Sequence, residues 1–367
     1  MLSLLFRRRA IQTHPMTFMS IVGARPQFIK AGPLSTELRK EHREILVHTG
    51  QHYDYEMSAV FFKDLELPRP DFHLEIGSGS HAAQTAAMLR ATEEIMTQQK
   101  PAAVIVYGDT NSTMAGALAA AKLNIPVAHV EAGLRSFNRT MPEEINRIVV
   151  DHVSHWLFAP STVAQMQLSK EGLEEGVHVV GDIMLDMLQL NAGRAGASTV
   201  LKRLNLRDKG YYLVTIHRAQ NTDQMERLAQ IIAALGRLDS EVVFPVHPRT
   251  KNKLMDFDIS TPSNIRLIEP QGFLDMLRLE KGALCILTDS GGVQKEAYYL
   301  GIPCVTLREE TEWVETTTSG WNVLVGTDPK KIVEAAQRHS PGVLPQPDFY
   351  GRGRTAVTVA EILRKSN

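Results

Sequence analysis

Between Ala103 and Arg147 the chain reads AVIVYGDTNSTMAGALAAAKLNIPVAHVEAGLRSFNRTMPEEINR, and three of its carboxylates fall where carboxylates can do chemistry. Two apolar runs, AVIVY and PVAHV, lead into Asp109 and Glu131, and Glu143 lies just inside a proline-led helix start. Acids that only solvate a surface belong on exposed helix faces, whereas ligands of open α/β sheets bind beyond the carboxyl ends of strands. With Arg135 and Arg147 beside them, the three acids point to chemistry on a bound ligand rather than to solubility.

A second stretch is suited to gripping an anion. In LTDSGGVQKEA, residues 287–297, a buried strand runs through Asp289, Ser290, Gly291 and Gly292 directly into a helix. Two glycines let the backbone come close to a ligand, Ser290 adds a hydroxyl, and a helix N-terminus favours negative charge. Glu296, on the first turns of that helix, can accept two ribose hydroxyls. The expectation is a diphosphate-and-ribose site; the plainer reading is a helix start with Ser290 as its N-cap.

Three further strand ends carry cations. IVGARPQFIK, residues 21–30, has a single glycine, Gly23, and so no dinucleotide fingerprint, but Arg25 and Lys30 near a helix start suit a phosphate. VTIHRAQN ends a strand in His217 and Arg218, and VFPVHPRT does so in His247 and Arg249. A lone histidine is usually structural. Two such strand ends on one sheet point to an anion site, and His217 can titrate near neutrality.

Strand-like and helix-like segments must alternate to position these groups, the pattern of a parallel sheet covered on both faces. The first half is read as FMSIVG, a helix from Gln27 to Lys40, EILVHT, a helix around Tyr55 to Leu65, and a longer one from Ala82 to Gln98. AVIVY, a helix from Ser112 to Lys122, PVAHV, a helix from Pro142 to Val153, WLFA and VHVVG complete it near Gly181. Residues from Asp182 to Lys209, helical and then polar, connect to a second half. That half runs YYLVTIH, a helix from Thr222 to Leu238, EVVFPVH, NIRLIEP, a helix from Phe273 to Leu279 and ALCILTD. A helix from Gly292 to Leu300, PCVTL, a helix from Asp328 to Arg338 and a last helix after Gly353 follow. The expected fold class is α/β, two Rossmann-like doubly wound domains facing a cleft, at residues 16–181 and 182–350. Residues 351–367 are expected to cross back to the first domain.

Composition bounds what the site can serve. At 367 residues the chain exceeds one comfortable core, which agrees with two domains. A net charge of −1 argues against nucleic acid or an anionic membrane surface as partner. No stretch approaches the roughly 20 apolar residues that span a bilayer. The only cysteines, Cys285 and Cys304, sit inside apolar runs, which reads as buried thiols in a reducing cytoplasm rather than a disulfide framework. No metal site is expected: among the histidines only His48 and His52 share a ligand-like spacing, and they span a strand end and a turn. MLSLLFRRRAIQTHP, residues 1–15, is Arg-rich and acid-poor, yet its apolar part precedes the arginines, opposite to a secretory signal. Met16 or Met19 would serve as well for a start, so this segment reads as a disordered extension.

GARPQFIK, YGDTNST, HVEAGLRS, MPEEINR, TIHRAQN, HPRT, TDSGGVQKEA and TEWVE occur in this order between about Ile21 and Gly326. Together they resemble the non-hydrolysing UDP-N-acetylglucosamine 2-epimerases. GARPQF, AGLRSFN with MPEEINR, and TEWVE look closer to the branch acting on UDP-2,3-diacetamido-2,3-dideoxyglucuronate. The resemblance implies the glycosyltransferase-B arrangement, a UDP-sugar in the cleft, no cofactor, a homodimer, and inversion at C2 by expulsion and return of UDP through a glycal. It implies that Arg25, Ser290, Gly291 and Gly292 hold the diphosphate, Glu296 the ribose, and that Lys30, Arg135, Arg147 and His247 line the site. By the same match Asp109, Glu131, Glu143 and His217 are catalytic, with Asp109 and Glu131 the acid/base partners at C2 and Glu143 supporting.

Departures from the family wording stand at Gln27 and Gln220, where it usually has a carboxylate, and at Ala83. Members activated by a second UDP-sugar have Arg-Gln where this chain has Ala83-Gln84, so that activation is not expected here, although Gln51, Gln84, Arg218 and His247 remain as contacts. A glycosyltransferase of the same architecture would account for the UDP grip but not for three acids around the sugar. A hydrolysing epimerase and a non-catalytic UDP-sugar sensor are the remaining readings.

Overall fold

A computed structural model describes residues 15–51, 67–338 and 346–365. The expected N-terminal extension, apart from Pro15, and the helix expected around Tyr55 to Leu65 lie outside the described residues. Seven strands among the described residues form the first sheet. They are β1 (Thr17–Val22), β2 (Arg43–His48), β3 (Phe72–His73), β4 (Ala103–Tyr107), β5 (Val127–Val130), β6 (Trp156–Ala159) and β7 (Val177–Val179). All pair parallel, in the order β3-β2-β1-β4-β5-β6-β7. The second sheet holds β8 (Tyr211–Thr215), β9 (Glu241–Pro245), β10 (Ile265–Ile268), β11 (Cys285–Thr288), β12 (Cys304–Thr306) and β13 (Asn322–Leu324), also parallel, in the order β10-β9-β8-β11-β12-β13. The fold is α/β with two doubly wound sheets.

Parallel strands covered on both faces must be apolar on both faces. In β1, Phe18 and Val22 enter the core cluster on one side of the sheet, and Met19 and Ile21 enter the one on the other. Strand order reverses between β1 and β4 and again between β8 and β11. Helices leave to opposite faces at such a switch point, which opens a crevice beyond the carboxyl ends. The loops leaving β4, β8 and β11 carry Asp109, His217 and Ser290, and Arg25 opens the helix Arg25–Leu38 just beyond β1.

Two apolar joints connect the halves. Ile29, Met184, Met187, Leu188, Phe273 and Leu277 make one, with the helix Ile183–Gly196 between the two sheets. Ala132, Leu134, Tyr298, Trp313, Trp321 and Tyr350 make the other. The last helix, Thr355–Lys365, sets Ala356, Val359 and Leu363 into the cluster of Phe18, Leu34 and Leu38. Its first-turn amides at Thr355 and Ala356 donate to Asp186 at 3.1 and 2.8 Å, which satisfies two otherwise orphaned donors.

Some elements differ from the sequence expectation. The helices Thr162–Lys170 and Pro248–Asp256 bury only Ala164 and Leu168, and Thr250 and Leu254, so neither writes an apolar stripe into the sequence. The helix expected from Thr222 to Leu238 spans Met225–Leu235, and a separate single turn, Ala219–Thr222, precedes it. Both cysteines are buried, and burial pushes both thiols up, Cys304 to about 12.

Candidate active site

The turn after β4 needs glycine. Gly108 has φ +63°, and a Cβ there would stand 3.0 Å from Lys30 Nζ. Asp109 follows, and its Oδ2 accepts from Arg147 Nε at 3.0 Å and Nη2 at 2.6 Å. Burial alone would raise the Asp109 carboxyl, but the charges of Arg147 and Lys30 outweigh it and hold the group below its ordinary range.

Glu131 turns out of β5 with φ +75°, a left-handed conformation that costs a non-glycine residue on the order of 1–3 kcal/mol. Neighbouring bonds hold the turn: the amides of Glu131 and Ala132 both donate to the Phe158 carbonyl at 3.1 Å. The buried Glu131 carboxylate lies 2.6 Å from Lys30 Nζ and 3.5 Å from Lys295 Nζ. Backbone strain at this carboxylate therefore coincides with a pair of facing ammonium groups.

Arg135 does not line the cleft as expected. Its Nε and Nη2 donate to Glu171 at 2.7 Å each, and Nη1 donates to Asp151 and to the Leu134 carbonyl, both at 2.7 Å. Asp151 in turn pairs with His129 Nδ1 at 2.7 Å, and His129 Nε2 meets the Gly108 carbonyl at 2.8 Å. Arg135 thus belongs to a buried brace beneath the Asp109 and Glu131 turns, with its donors already committed.

Helix Pro142–Val153 separates two neighbouring acids. Glu143 is exposed, whereas Glu144 is buried and accepts from the amides of Ser136 (2.9 Å) and Phe137 (2.8 Å) and from Arg147 Nη1 (2.8 Å). Arg147 also reaches across to Glu312 at 3.4 Å, a residue that follows β12. Glu312 pairs with Arg308 at 3.1 Å, and Arg308, Arg147 and Arg218 outweigh its burial and hold it down to about 2.

On the second sheet, Asp289 is fully buried and organises the loop after β8. It accepts from the amides of His217 (3.2 Å) and Arg218 (3.1 Å) and from Asn221 Nδ2 (3.1 Å), while His217 Nδ1 lies 3.3 Å from it. Desolvation lowers the His217 pKa, Asp289 opposes that, and Arg218 and Arg25 add to the lowering, so the imidazole is neutral at pH 7. Ser290 is the N-cap of the helix Gly291–Leu300, yet its hydroxyl makes no capping bond. Gly291 is close-set: a Cβ there would lie 3.2 Å from Trp313 Nε1, while Gly292 is exposed. His247 caps the helix Pro248–Asp256, accepting from the Arg249 amide at 3.2 Å.

Arg25, the first residue of the helix Arg25–Leu38 after β1, is electrostatically coupled to Glu296, Glu280 and His217 of the other half. Glu296 is buried on the helix Gly291–Leu300 and hydrogen-bonds Glu280. Two carboxyls in contact cannot both ionise cheaply. Burial and the Glu296 charge keep Glu280 protonated, well above the usual carboxylate range. A folded value above the unfolded one stabilises the protein at low pH and is lost as pH rises through it. Glu280→Gln keeps a donor toward Glu296 without a titrating proton, so its melting temperature should gain on the wild type as the pH is raised from 5 to 8.

Gln27, where the family resemblance leads one to expect an acid, is buried and saturated. Its Oε1 accepts from the amides of Gly23 (2.8 Å) and Ala24 (3.1 Å), and its Nε2 donates to the Tyr107 carbonyl and Thr113 Oγ1, both at 2.9 Å. A carboxylate would face the Tyr107 carbonyl oxygen with no proton between them. Gln27→Glu should cost about 1–3 kcal/mol in urea denaturation, more at pH 8 than at pH 5, since the new acid fits only when protonated. Gln51 and Gln84 are likewise engaged, with Ser112 Oγ at 2.6 Å and the Gly77 carbonyl at 2.8 Å.

Sequence reasoning missed Lys295, Asp182, Glu280, Arg308, Glu312 and Trp313. Lys295 is adjacent to Glu296 in QKEA, and Glu312 and Trp313 lie in TEWVE, so both motifs were in view without these roles being assigned.

Comparison with known proteins shows the family. The family model for UDP-N-acetylglucosamine 2-epimerase matches residues 36–364. A UDP-N-acetylglucosamine 2-epimerase homolog of Methanococcus maripaludis is 51% identical over 95% of this chain and 99% of its own length. The UDP-2,3-diacetamido-2,3-dideoxy-D-glucuronate 2-epimerase of Pseudomonas aeruginosa is 47% identical over 95% of this chain and its own full length (100%). The crystal structure of Methanocaldococcus jannaschii UDP-GlcNAc 2-epimerase, in complex with UDP-GlcNAc and UDP, superposes with a TM-score of 0.90 at 42% identity, covering 96% of this chain and 100% of that one. With two doubly wound halves in the glycosyltransferase-B arrangement and paired acids opposite a glycine turn, the chain belongs to the UDP-N-acetylglucosamine 2-epimerase family.

Proposed function

We propose that this protein is a non-hydrolysing 2-epimerase of a UDP-2-acetamido sugar, either UDP-N-acetylglucosamine or its 2,3-diacetamido-glucuronate analogue. One observation carries the reading. Two carboxylates at the carboxyl edge of the first sheet, each ion-paired to a buried cation, are linked by Lys295 and Glu312 to the half that holds the Ser290-Gly291-Gly292 turn. Such a cleft can hold a nucleotide diphosphate on one side and work on a sugar proton from the other.

The C2 proton has no adjacent carbonyl and is not acidic, so simple deprotonation is closed. Instead the C1–O bond breaks, its electron pair leaving with the UDP diphosphate, while the C2 proton passes to a carboxylate and C1=C2 forms. A proton is then returned to the opposite face of C2, and the diphosphate oxygen re-forms its bond to C1. Nothing is consumed, provided UDP and glycal are both retained. Arg25, Ser290, Gly291 and Gly292 hold the diphosphate and Glu296 the ribose, with Lys30, Arg147 and His247 at the rim of the same cleft. His217, neutral without ligand, is drawn back toward its charged form by the arriving diphosphate. Asp109 and Glu131 are the acid/base partners at C2, and Glu143, on the exposed first turn of the helix that carries Arg147, supports them. Family likeness is also the ground for proposing a cytoplasmic homodimer that makes precursors for surface polysaccharide.

Side-by-side turnover of UDP-N-acetylglucosamine and UDP-2,3-diacetamidoglucuronate, followed by proton NMR of the H1–H2 coupling, tests the reading. One of the two should give the manno isomer without stoichiometric release of UDP. Accumulation of free sugar with UDP, or transfer of sugar to an acceptor with neither substrate epimerised, would count against it.

A further inference from the structure

Lys295 stands one residue before Glu296 on the helix Gly291–Leu300, and its side chain is 1% exposed. Its Nζ lies 2.6 Å from Asp182 Oδ2, 3.5 Å from Glu131 Oε2 and 3.9 Å from the centroid of the Trp313 ring. Asp182 is the N-cap of the helix Ile183–Gly196, accepting from the Met184 amide at 2.9 Å and from Tyr299 Oη at 2.6 Å. One ammonium therefore joins the glycine-turn helix, the connector between the halves and the acid beyond β5.

The charges of this buried group balance. Lys30 and Lys295 face Glu131 and Asp182, so removing either cation leaves a carboxylate short of a partner in a place where an unpaired charge is costly. Burial pulls the Lys295 pKa down, but Asp182 and Glu131 outweigh it, and the ammonium stays charged. Trp313 closes the group on one side, and the same indole borders Gly291.

We propose that Lys295 is a positioning residue for the epimerisation, holding the Glu131 carboxylate in its strained turn and fixing it relative to the helix that grips the nucleotide. The proposal rests on the reading of Glu131 as an acid/base partner. Lys295 acts through Glu131, so the two should not behave as independent sites.

A double-mutant cycle of Lys295→Met and Glu131→Gln tests this. Lys295→Met should lower kcat by about 10²–10³-fold while UDP affinity by calorimetry changes less than about threefold. Lys295→Arg should recover at least about tenfold of that, and in the Glu131→Gln background Lys295→Met should cost less than about threefold more. The acid limb of the kcat profile should move to higher pH in Lys295→Met, because losing a cation favours protonated carboxylates. Multiplicative losses, or an unchanged kcat and acid limb, would overturn the proposal. If Lys295→Met does not fold, Lys295→Arg and Lys295→Gln are read for the same split between kcat and UDP affinity. A wild type inactive on both UDP-sugars would count against the proposed function alone. The cycle would then be read in melting temperatures, where a non-additive shift supports the coupling and an additive one overturns it.

Discussion

Glu131→Gln is expected to lower kcat by about 10³–10⁴-fold, the loss typical of removing a positioned acid/base group, with UDP affinity little changed. The substitution keeps the side chain's size and its hydrogen-bonding reach but removes the charge that faces Lys30 at 2.6 Å and Lys295 at 3.5 Å. Lys295 retains Asp182 at 2.6 Å, and Lys30 retains the electrostatic company of Asp109, so the fold should survive. Initial rates of epimerisation beside calorimetric UDP titration separate the two effects. A tenfold or larger loss of UDP affinity would mean that Glu131 shapes the nucleotide site instead of working at the sugar.

Arg147→Met should cost about 3–5 kcal/mol of stability at pH 7, together with most activity, because it strands two buried carboxylates and one half-buried one that its guanidinium now serves. Those partners are Asp109 at 2.6 Å, Glu144 at 2.8 Å and Glu312 at 3.4 Å. All are held below their ordinary pKa against the effect of burial, Asp109 by Arg147 and Lys30, Glu312 by its arginines at about 2, and Glu144 by the Ser136 and Phe137 amides with Arg147 adding to them. A carboxylate whose folded value is depressed contributes stability above its unfolded value, about 4, and loses it as pH falls through the folded one. The wild type therefore keeps this contribution down to the region of pH 2–4. In Arg147→Met the deficit should be largest near pH 7 and shrink below about pH 4, where protonation removes the uncompensated charge. Urea midpoints at pH 7 and pH 4 measure it, and a deficit independent of pH would mean that lost packing, not lost charge, is responsible.

The fold was legible where burial is two-sided. AVIVY is apolar throughout and PVAHV is so except for the buried His129, because β4 and β5 are covered on both faces, and Asp109 and Glu131 follow directly on their ends. Helix Pro142–Val153 was readable from its proline start and apolar spacing, but its phase was not. Glu143 and Glu144 are neighbours, and successive residues on a helix project about 100° apart, so only packing decides which is buried. Arg135 was misread for a related reason. Its partner Glu171 follows the helix Thr162–Lys170, whose two buried residues leave too thin a stripe to recognise. Lys295 was illegible because its surroundings are assembled from four distant parts of the chain: Lys30, Glu131, Asp182 and Trp313. Motif spacing singled out the Ser290-Gly291-Gly292 turn beside it, while the charge that ties that turn to the acids arises only when the halves meet.

The central claim is that C2 is inverted by loss and return of its own proton while UDP stays bound. Proton NMR of the UDP-sugar during turnover in deuterated water tests it most directly. The account predicts that the 2-epimer acquires deuterium at C2 as it forms, with no stoichiometric build-up of free UDP. Product that retains all of its C2 protium would contradict it.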